Sequence, residues 1–226
     1  MKSVHVENLT KIYGKGENKV TALNEVSFSI EEGEFVAITG RSGSGKSTLL
    51  YILAGLDIPT SGNVRVDNIN LFSLSDNQLS SFRRKKVGFI YQFYNLIPTL
   101  TVEENIVLPV RLDKRELKKD RLENLLRVFH LEKKKYSYPS QLSGGEQQRV
   151  AIARSLFINP MIILADEPTG NLDSKNSKEV MTYLKDTNKK YNRTVIVVTH
   201  SMEIANEADR IIELSDGKII LDRKVR

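Results

Sequence analysis

The sequence has no cysteine and no tryptophan. Without thiols there can be no disulfide, no thiolate metal site and no cysteine nucleophile. Nor is there an apolar run near the roughly 20 residues that a bilayer-spanning helix needs. Residues 1–7 turn polar too early for a secretion signal. The expected location is therefore the cytoplasm. Only three histidines, His5, His130 and His200, are available for proton transfer near neutral pH. With 40% hydrophobic and 27% charged residues, the 226-residue chain reads as one globular domain with a sizeable core. Its net charge of +6 would suit phosphates, nucleic acid or an anionic membrane face. Lysine is spread along the whole chain, however, and the runs at 83–86 and 133–135 have no interleaved aromatics. They read as solvated surface, and no nucleic-acid partner is expected.

Three short, largely apolar runs, 34–39, 161–165 and 194–199, have the pattern of parallel strands covered on both faces. They lead into Gly40, Asp166 and His200, and ligands of open α/β sheets sit beyond such strand ends. Residues 24–30 and 62–66 alternate and suit an antiparallel layer. Residues 210–221, with Asp216-Gly217 at the turn, predict a closing hairpin. Between about 102 and 157 the pattern becomes helical: 102–110 behind a Thr101 cap, an amphipathic stretch at 114–129, and 143–157.

Gly40-Arg41-Ser42-Gly43-Ser44-Gly45-Lys46-Ser47-Thr48 follows a predicted strand and opens a helix, which is the P-loop pattern. Its glycines let successive N–H groups face a phosphate, and the helix dipole adds to the attraction. Lys46 supplies a cation to the β- and γ-phosphates, and the Ser47 hydroxyl is suited to Mg²⁺. Asp166 and Glu167 end an apolar strand; Asp166 would hold Mg²⁺ and Glu167 would polarise the attacking water. Ser143-Gly144-Gly145-Glu146 opens a further helix and forms a second anion-binding start. Alone it would be a serine cap with flexible glycines. One nucleotide needs one such start, so the second is assigned to a nucleotide on another subunit.

Together, 40–47, Leu142-Ser143-Gly144-Gly145-Glu146-Gln147, Asp166-Glu167 and His200 resemble the nucleotide-binding domain of ATP-binding cassette proteins, over essentially the whole chain. The resemblance implies an α/β fold: a P-loop NTPase core with a parallel sheet, an antiparallel β-layer, and a helical insertion. The core would occupy about 1–91 and 160–226, and the helical unit about 92–159. It further implies that Tyr13 stacks on adenine, that Gln92 touches Mg²⁺ and relays to a membrane partner, and that Asp173 lies at a dimer interface. His200 would contact the γ-phosphate and orient Glu167. Glu146 stands where the family often has Gln, a variation that leaves the catalytic pattern complete.

Gly55-Leu56-Asp57, Pro59-Thr60-Ser61-Gly62, 93–98 and 166–173 resemble the bacterial macrolide-efflux, lipoprotein-release and antimicrobial-peptide exporter group. Its members end soon after the last strand, as this sequence does at Arg226. The implied protein is an ATP hydrolase that pairs head-to-tail with a second copy around two MgATP. It would sit on the inner face of the membrane through an integral permease, with peptides, lipoproteins or antibiotics as cargo. The alternative is the same ATPase driving a mechanical process such as regulation of cell-wall enzymes.

Overall fold

The computed structural model of the chain describes residues 2–225; Met1 and Arg226, the ends of the expected domain, lie outside them. Among the described residues, ten strands, seven α-helices and four short 3-10 helices make up the regular structure. Strands β1 (Lys2–Tyr13), β2 (Val20–Glu31), β4 (Ser61–Val66) and β5 (Ile69–Asn70) form an antiparallel sheet in the order β2-β1-β4-β5. This is the predicted antiparallel layer, with β1 at its centre.

The second sheet holds β3 (Phe35–Thr39), β6 (Val87–Ile90), β7 (Ile162–Asp166), β8 (Thr194–Val198), β9 (Arg210–Ser215) and β10 (Lys218–Lys224), in the order β10-β9-β3-β8-β7-β6. Strands β9, β3, β8, β7 and β6 run parallel, and β10 returns antiparallel to β9. Asp216 and Gly217 both have positive φ, +49° and +75°, as a two-residue hairpin turn requires.

Strands β3, β7 and β8 are wholly buried because each faces a core on both sides. Phe35, Ala37, Ile163, Ala165, Val195 and Val197 pack into a core with the helices of the middle third. Their alternate neighbours Val36, Ile38, Ile162, Leu164, Ile196 and Val198 pack with α1 (Lys46–Leu53) and the antiparallel layer. A strand buried on both faces cannot alternate in polarity, which is why these segments read as unbroken apolar runs.

The remaining helices are α2 (Asp76–Lys86), α3 (Val102–Leu112), α4 (Lys119–Val128), α5 (Gly144–Phe157), α6 (Ser174–Tyr191) and α7 (Met202–Ala205). Thr101 caps α3 in a reciprocal box with Glu104, and α3 continues past Pro109 to Leu112. The stretch expected to be helical from 114 begins only at Lys119. Lys114 adopts the left-handed conformation (φ +52°) after α3, so the next residues must turn the chain before a new helix can start. The basic run at 83–86 is tied down more than expected of solvated surface: Arg83 donates to Gly55 O, and Arg84 pairs with Asp113.

Candidate functional site

The sheet order sets the carboxyl ends of β3, β8, β7 and β6 side by side, although they are far apart in sequence. Off these ends come Gly40, His200, Asp166-Glu167 and Gln92. A cleft of about 450 Å³ opens there, bordered by Ser42, Gly43, Lys46, Ser47, Thr48, Gln92, Glu167 and His200.

The loop between β3 and α1 needs its glycines for two separate reasons. Gly40 and Gly45 have φ of +140° and +101°, and a Cβ on either would come within 2.1 Å and 2.2 Å of the carbonyls of Leu214 and Ala22. At Gly43 (φ +79°) a Cβ would meet nothing; only the backbone conformation demands glycine there. The buried Lys46 ammonium donates to Gly40 O and Arg41 O at 2.8 Å each, which holds the charge against the loop. Ser44 is buried as well, and its hydroxyl has no protein partner.

Ser47 Oγ donates to Asp166 Oδ1 at 3.1 Å, which joins the start of α1 to the end of β7. Burial pushes the Asp166 carboxyl above the ordinary aspartate range. Hydrogen bonds from Ser47 and Tyr51 and the Lys46 charge oppose this without cancelling it, and the Glu167 charge adds to it. Glu167 leaves the strand with φ +45°, an unusual conformation for a non-glycine residue that turns its carboxyl toward the cleft. Glu167 Oε1 lies 3.0 Å from His200 Nδ1, and Oε2 is buried without a hydrogen-bond partner in the chain. The His200 side chain is 74% exposed and that of Glu167 only 13%, so a sheltered carboxylate is backed by an accessible imidazole. His5 bonds Ser29 Oγ instead, and His130 is exposed just past α4.

Other predicted residues lie away from this cleft. Ser143 caps α5 in a reciprocal box: Ser143 N donates to Glu146 Oε2 (2.8 Å) and Glu146 N to Ser143 Oγ (3.3 Å). Burial works against the Glu146 charge, but the bonds from Ser143 and the nearby Lys134 and Arg149 outweigh it and hold its carboxyl low. Asp173 caps α6 by accepting from Asn176 N and Asn176 Nδ2, both at 2.8 Å. A Cβ on Gly145 would sit 2.8 Å from Asn176 Oδ1, so Asn176 joins the two helix starts into one patch. Tyr13 stands at the rim of the cleft beside Thr48, with its hydroxyl donating to Asp57 Oδ2 at 2.6 Å.

Several further residues tie these parts together, and Tyr51 and Arg154 among them belong to no sequence motif. Tyr51 on α1 hydrogen-bonds Asp166, and burial followed by that charge pushes its phenol pKa up. Gln148 donates to Pro168 O at 2.7 Å, and Asn171 Nδ2 to Gln92 O at 3.1 Å. Arg154 on α5 donates to Tyr94 O (2.8 Å) and Asn95 O (2.6 Å), and the Tyr94 hydroxyl lies 2.9 Å from where a Gly144 Cβ would stand. The helical start at Ser143 and the loop after β6 are thus held together at both ends.

This arrangement can cradle a polyphosphate at the loop before α1, with a cation-binding pair at Ser47 and Asp166 and a base at Glu167. A family model described as ABC transporter matches residues 23–170. The lipoprotein-releasing system ATP-binding protein LolD of Cytophaga hutchinsonii is 46% identical over 215 residues, 94% of this chain and 96% of that one. The macrolide export ATP-binding/permease protein MacB of Chlorobaculum tepidum is 46% identical over 223 residues, 98% of this chain but 34% of that longer protein. Among solved structures, the dimeric post-hydrolysis state of the ATP-binding cassette MJ0796 of Methanocaldococcus jannaschii, bound to ADP and Pi, superposes with a TM-score of 0.92. It is 47% identical and covers 99% of both chains. The chain therefore belongs to the ABC transporter family, as an ATP-binding cassette.

Proposed function

We propose that two copies of this chain clamp two ATP molecules head-to-tail and hydrolyse them to drive an exporter-type permease. The observation that carries this reading is the separation of the two anion-binding helix starts. The P-loop, Gln92, Glu167 and His200 border one cleft, whereas Ser143, Gly144, Gly145 and Asp173 form a patch outside it. A head-to-tail pair brings the patch of one copy over the cleft of the other. Each site then has two halves, and a twofold axis generates two such sites.

Within each site, residues 40–48 bind the phosphates through backbone N–H groups and the α1 dipole, and Lys46 supplies charge at the β- and γ-positions. Ser47, Asp166 and Gln92 offer hard oxygen donors that fit Mg²⁺, which prefers a few such ligands alongside phosphate oxygens. When bound, that ion neutralises charge developing on the β- and γ-phosphates. Glu167 takes the proton of the attacking water, while His200 holds its carboxylate through Oε1. His200 fixes the carboxylate and faces the γ-position. Tyr13 stacks on adenine. The core runs over about 1–91 and 160–226, and the helical unit over about 92–159.

No helix among the described residues is long and apolar enough to cross a membrane. The protein works at the inner face of the membrane through its permease. Leu112, 64% exposed, borders an apolar groove of about 250 Å³ together with Leu56, Phe89, Tyr91 and Leu108, and Phe93, two residues after Tyr91, is 70% exposed. This is the permease dock. Arg154 borders the groove and also holds Tyr94 and Asn95, so movement of the dock reaches the Ser143 helix directly. LolD and MacB are named for different cargoes, which supports cargo being recognised in the permease rather than in the cassette.

The test is Glu167→Gln. Loss of the base lowers hydrolysis about 10²–10⁴-fold, while ATP binding survives and an ATP-bound dimer accumulates on gel filtration. Normal turnover in this variant removes Glu167 from its role. For the wild type, activity per subunit rises with protein concentration; a flat dependence contradicts the shared site.

A further inference from the structure

The Gly55-Leu56-Asp57 stretch has no part in the phosphate chemistry, yet Asp57 sits at the centre of a compact polar cluster. Its carboxylate accepts from Tyr13 Oη (2.6 Å), Lys11 Nζ (2.6 Å) and Ile58 N (2.7 Å). Lys11 also donates to Ile58 O at 2.6 Å, and its ammonium lies over the Tyr13 ring, 4.7 Å from the centroid. The loop carrying Asp57 is pinned to the end of β1 by Thr60 N to Thr10 O (2.8 Å) and Ile12 N to Thr60 Oγ1 (2.9 Å). Thr48, on the first turn of α1 and bordering the nucleotide cleft, also hydrogen-bonds the Tyr13 hydroxyl.

We propose that Asp57 and Lys11 are positioning residues that hold Tyr13 as a preformed stacking platform for the nucleobase. The proposal rests on the reading of Tyr13 as the adenine contact. A tyrosine at a strand end would ordinarily sample several rotamers, and a base that stacks on it would have to freeze them. Here the hydroxyl is anchored at its far end, and one face of the ring is covered by a cation. Tyr13 is 41% exposed, which leaves surface on which a base can stack. Asp57 comes from the segment that leaves α1, whereas Lys11 lies on β1 with Tyr13 itself, so the brace ties the ring to the helix that begins at the P-loop. Asp57 stays ionised in this role: burial opposes its charge, but the bonds from Lys11, Tyr13 and Ile58 hold its carboxyl below the usual aspartate value.

The platform acts on the base and not on the phosphates, and this separates a positioning role from a merely structural one. Base–aromatic stacking is worth about 5- to 150-fold in affinity. Binding of ATP and of inorganic tripolyphosphate would be measured by calorimetry for wild type, Y13A, Y13F, D57N and K11M. The expected result is that Y13A weakens ATP binding about tenfold or more, and that Y13F and D57N each weaken it about three- to tenfold. Tripolyphosphate binding stays within about twofold throughout, and Y13F/D57N is no worse than either single variant, because both remove the same bond. A parallel loss of tripolyphosphate binding would mean general damage to the site and overturn the proposal. If Y13A weakens ATP binding while Y13F, D57N and K11M do not, the platform stands but the brace is refuted. If Y13A has no effect on ATP, the adenine contact itself is wrong and the brace falls with it.

Discussion

Removing the Arg154 side chain should cost both stability and turnover, and the structure sets the scale of each. Its guanidinium is largely buried, and burial pulls its pKa down. It nevertheless stays in place because it donates to two successive carbonyls, Tyr94 O at 2.8 Å and Asn95 O at 2.6 Å. A hydrogen bond to a charged group contributes about 1.5–3 kcal/mol, and two would give about twice that. One of these contacts is exposed, so water takes over part of the loss, and Arg154→Ala should cost about 2 kcal/mol. For a chain of 226 residues this is a fall in Tm of about 4–8 °C, readable by calorimetry at fixed concentration without nucleotide. Arg154→Lys should recover about half, because a point-charge ammonium cannot reach both carbonyls as a planar fork does. Turnover should fall through kcat more than KM, since Gln92 lies two residues before Tyr94 while the phosphate loop is untouched. A Tm within about 1 °C of wild type for Arg154→Ala, or equal rescue by Lys, would refute the reasoning.

Asp166→Asn should abolish Mg²⁺-dependent turnover yet raise Tm near neutral pH. Burial and the adjacent Glu167 raise the Asp166 pKa in the folded state, so its ionised form costs stability once pH exceeds the folded pKa. The gain from Asn should therefore shrink as pH falls and vanish below the ordinary aspartate value of 3.8, where the carboxyl is protonated in both states; a pH-independent difference in Tm would contradict this. Gly145→Ala should drive a methyl into the Asn176 amide and cost about 1–3 kcal/mol. Asn176→Ala in the same chain should restore most of it, and additive losses in chemical denaturation would place the clash elsewhere.

The sequence by itself determined the chemistry. The β–loop–helix context of 40–48, the carboxylate pair after an apolar strand, and the Ser143 helix start are local patterns whose backbone geometry is set by nearby residues. Reading β3, β7 and β8 as doubly covered strands was equally local, since burial on both faces leaves no polar alternation. What the sequence left out depends on contacts between distant segments. The 18-residue helix α6 has no strong local signature because it buries only a narrow stripe, Val180, Met181, Leu184, Thr187 and Asn188, along an otherwise polar surface. Tyr51, Asn176 and Arg154 have ordinary residue types at ordinary positions. Each acquires its role only from a partner tens of residues away. The sheet order β3-β8-β7-β6 is the deciding fact, because it brings positions 40, 92, 166 and 200 together when nothing along the chain does so. Tertiary structure also decided that the Ser143 start stands outside the cleft, because that is a distance between elements and no local pattern encodes it.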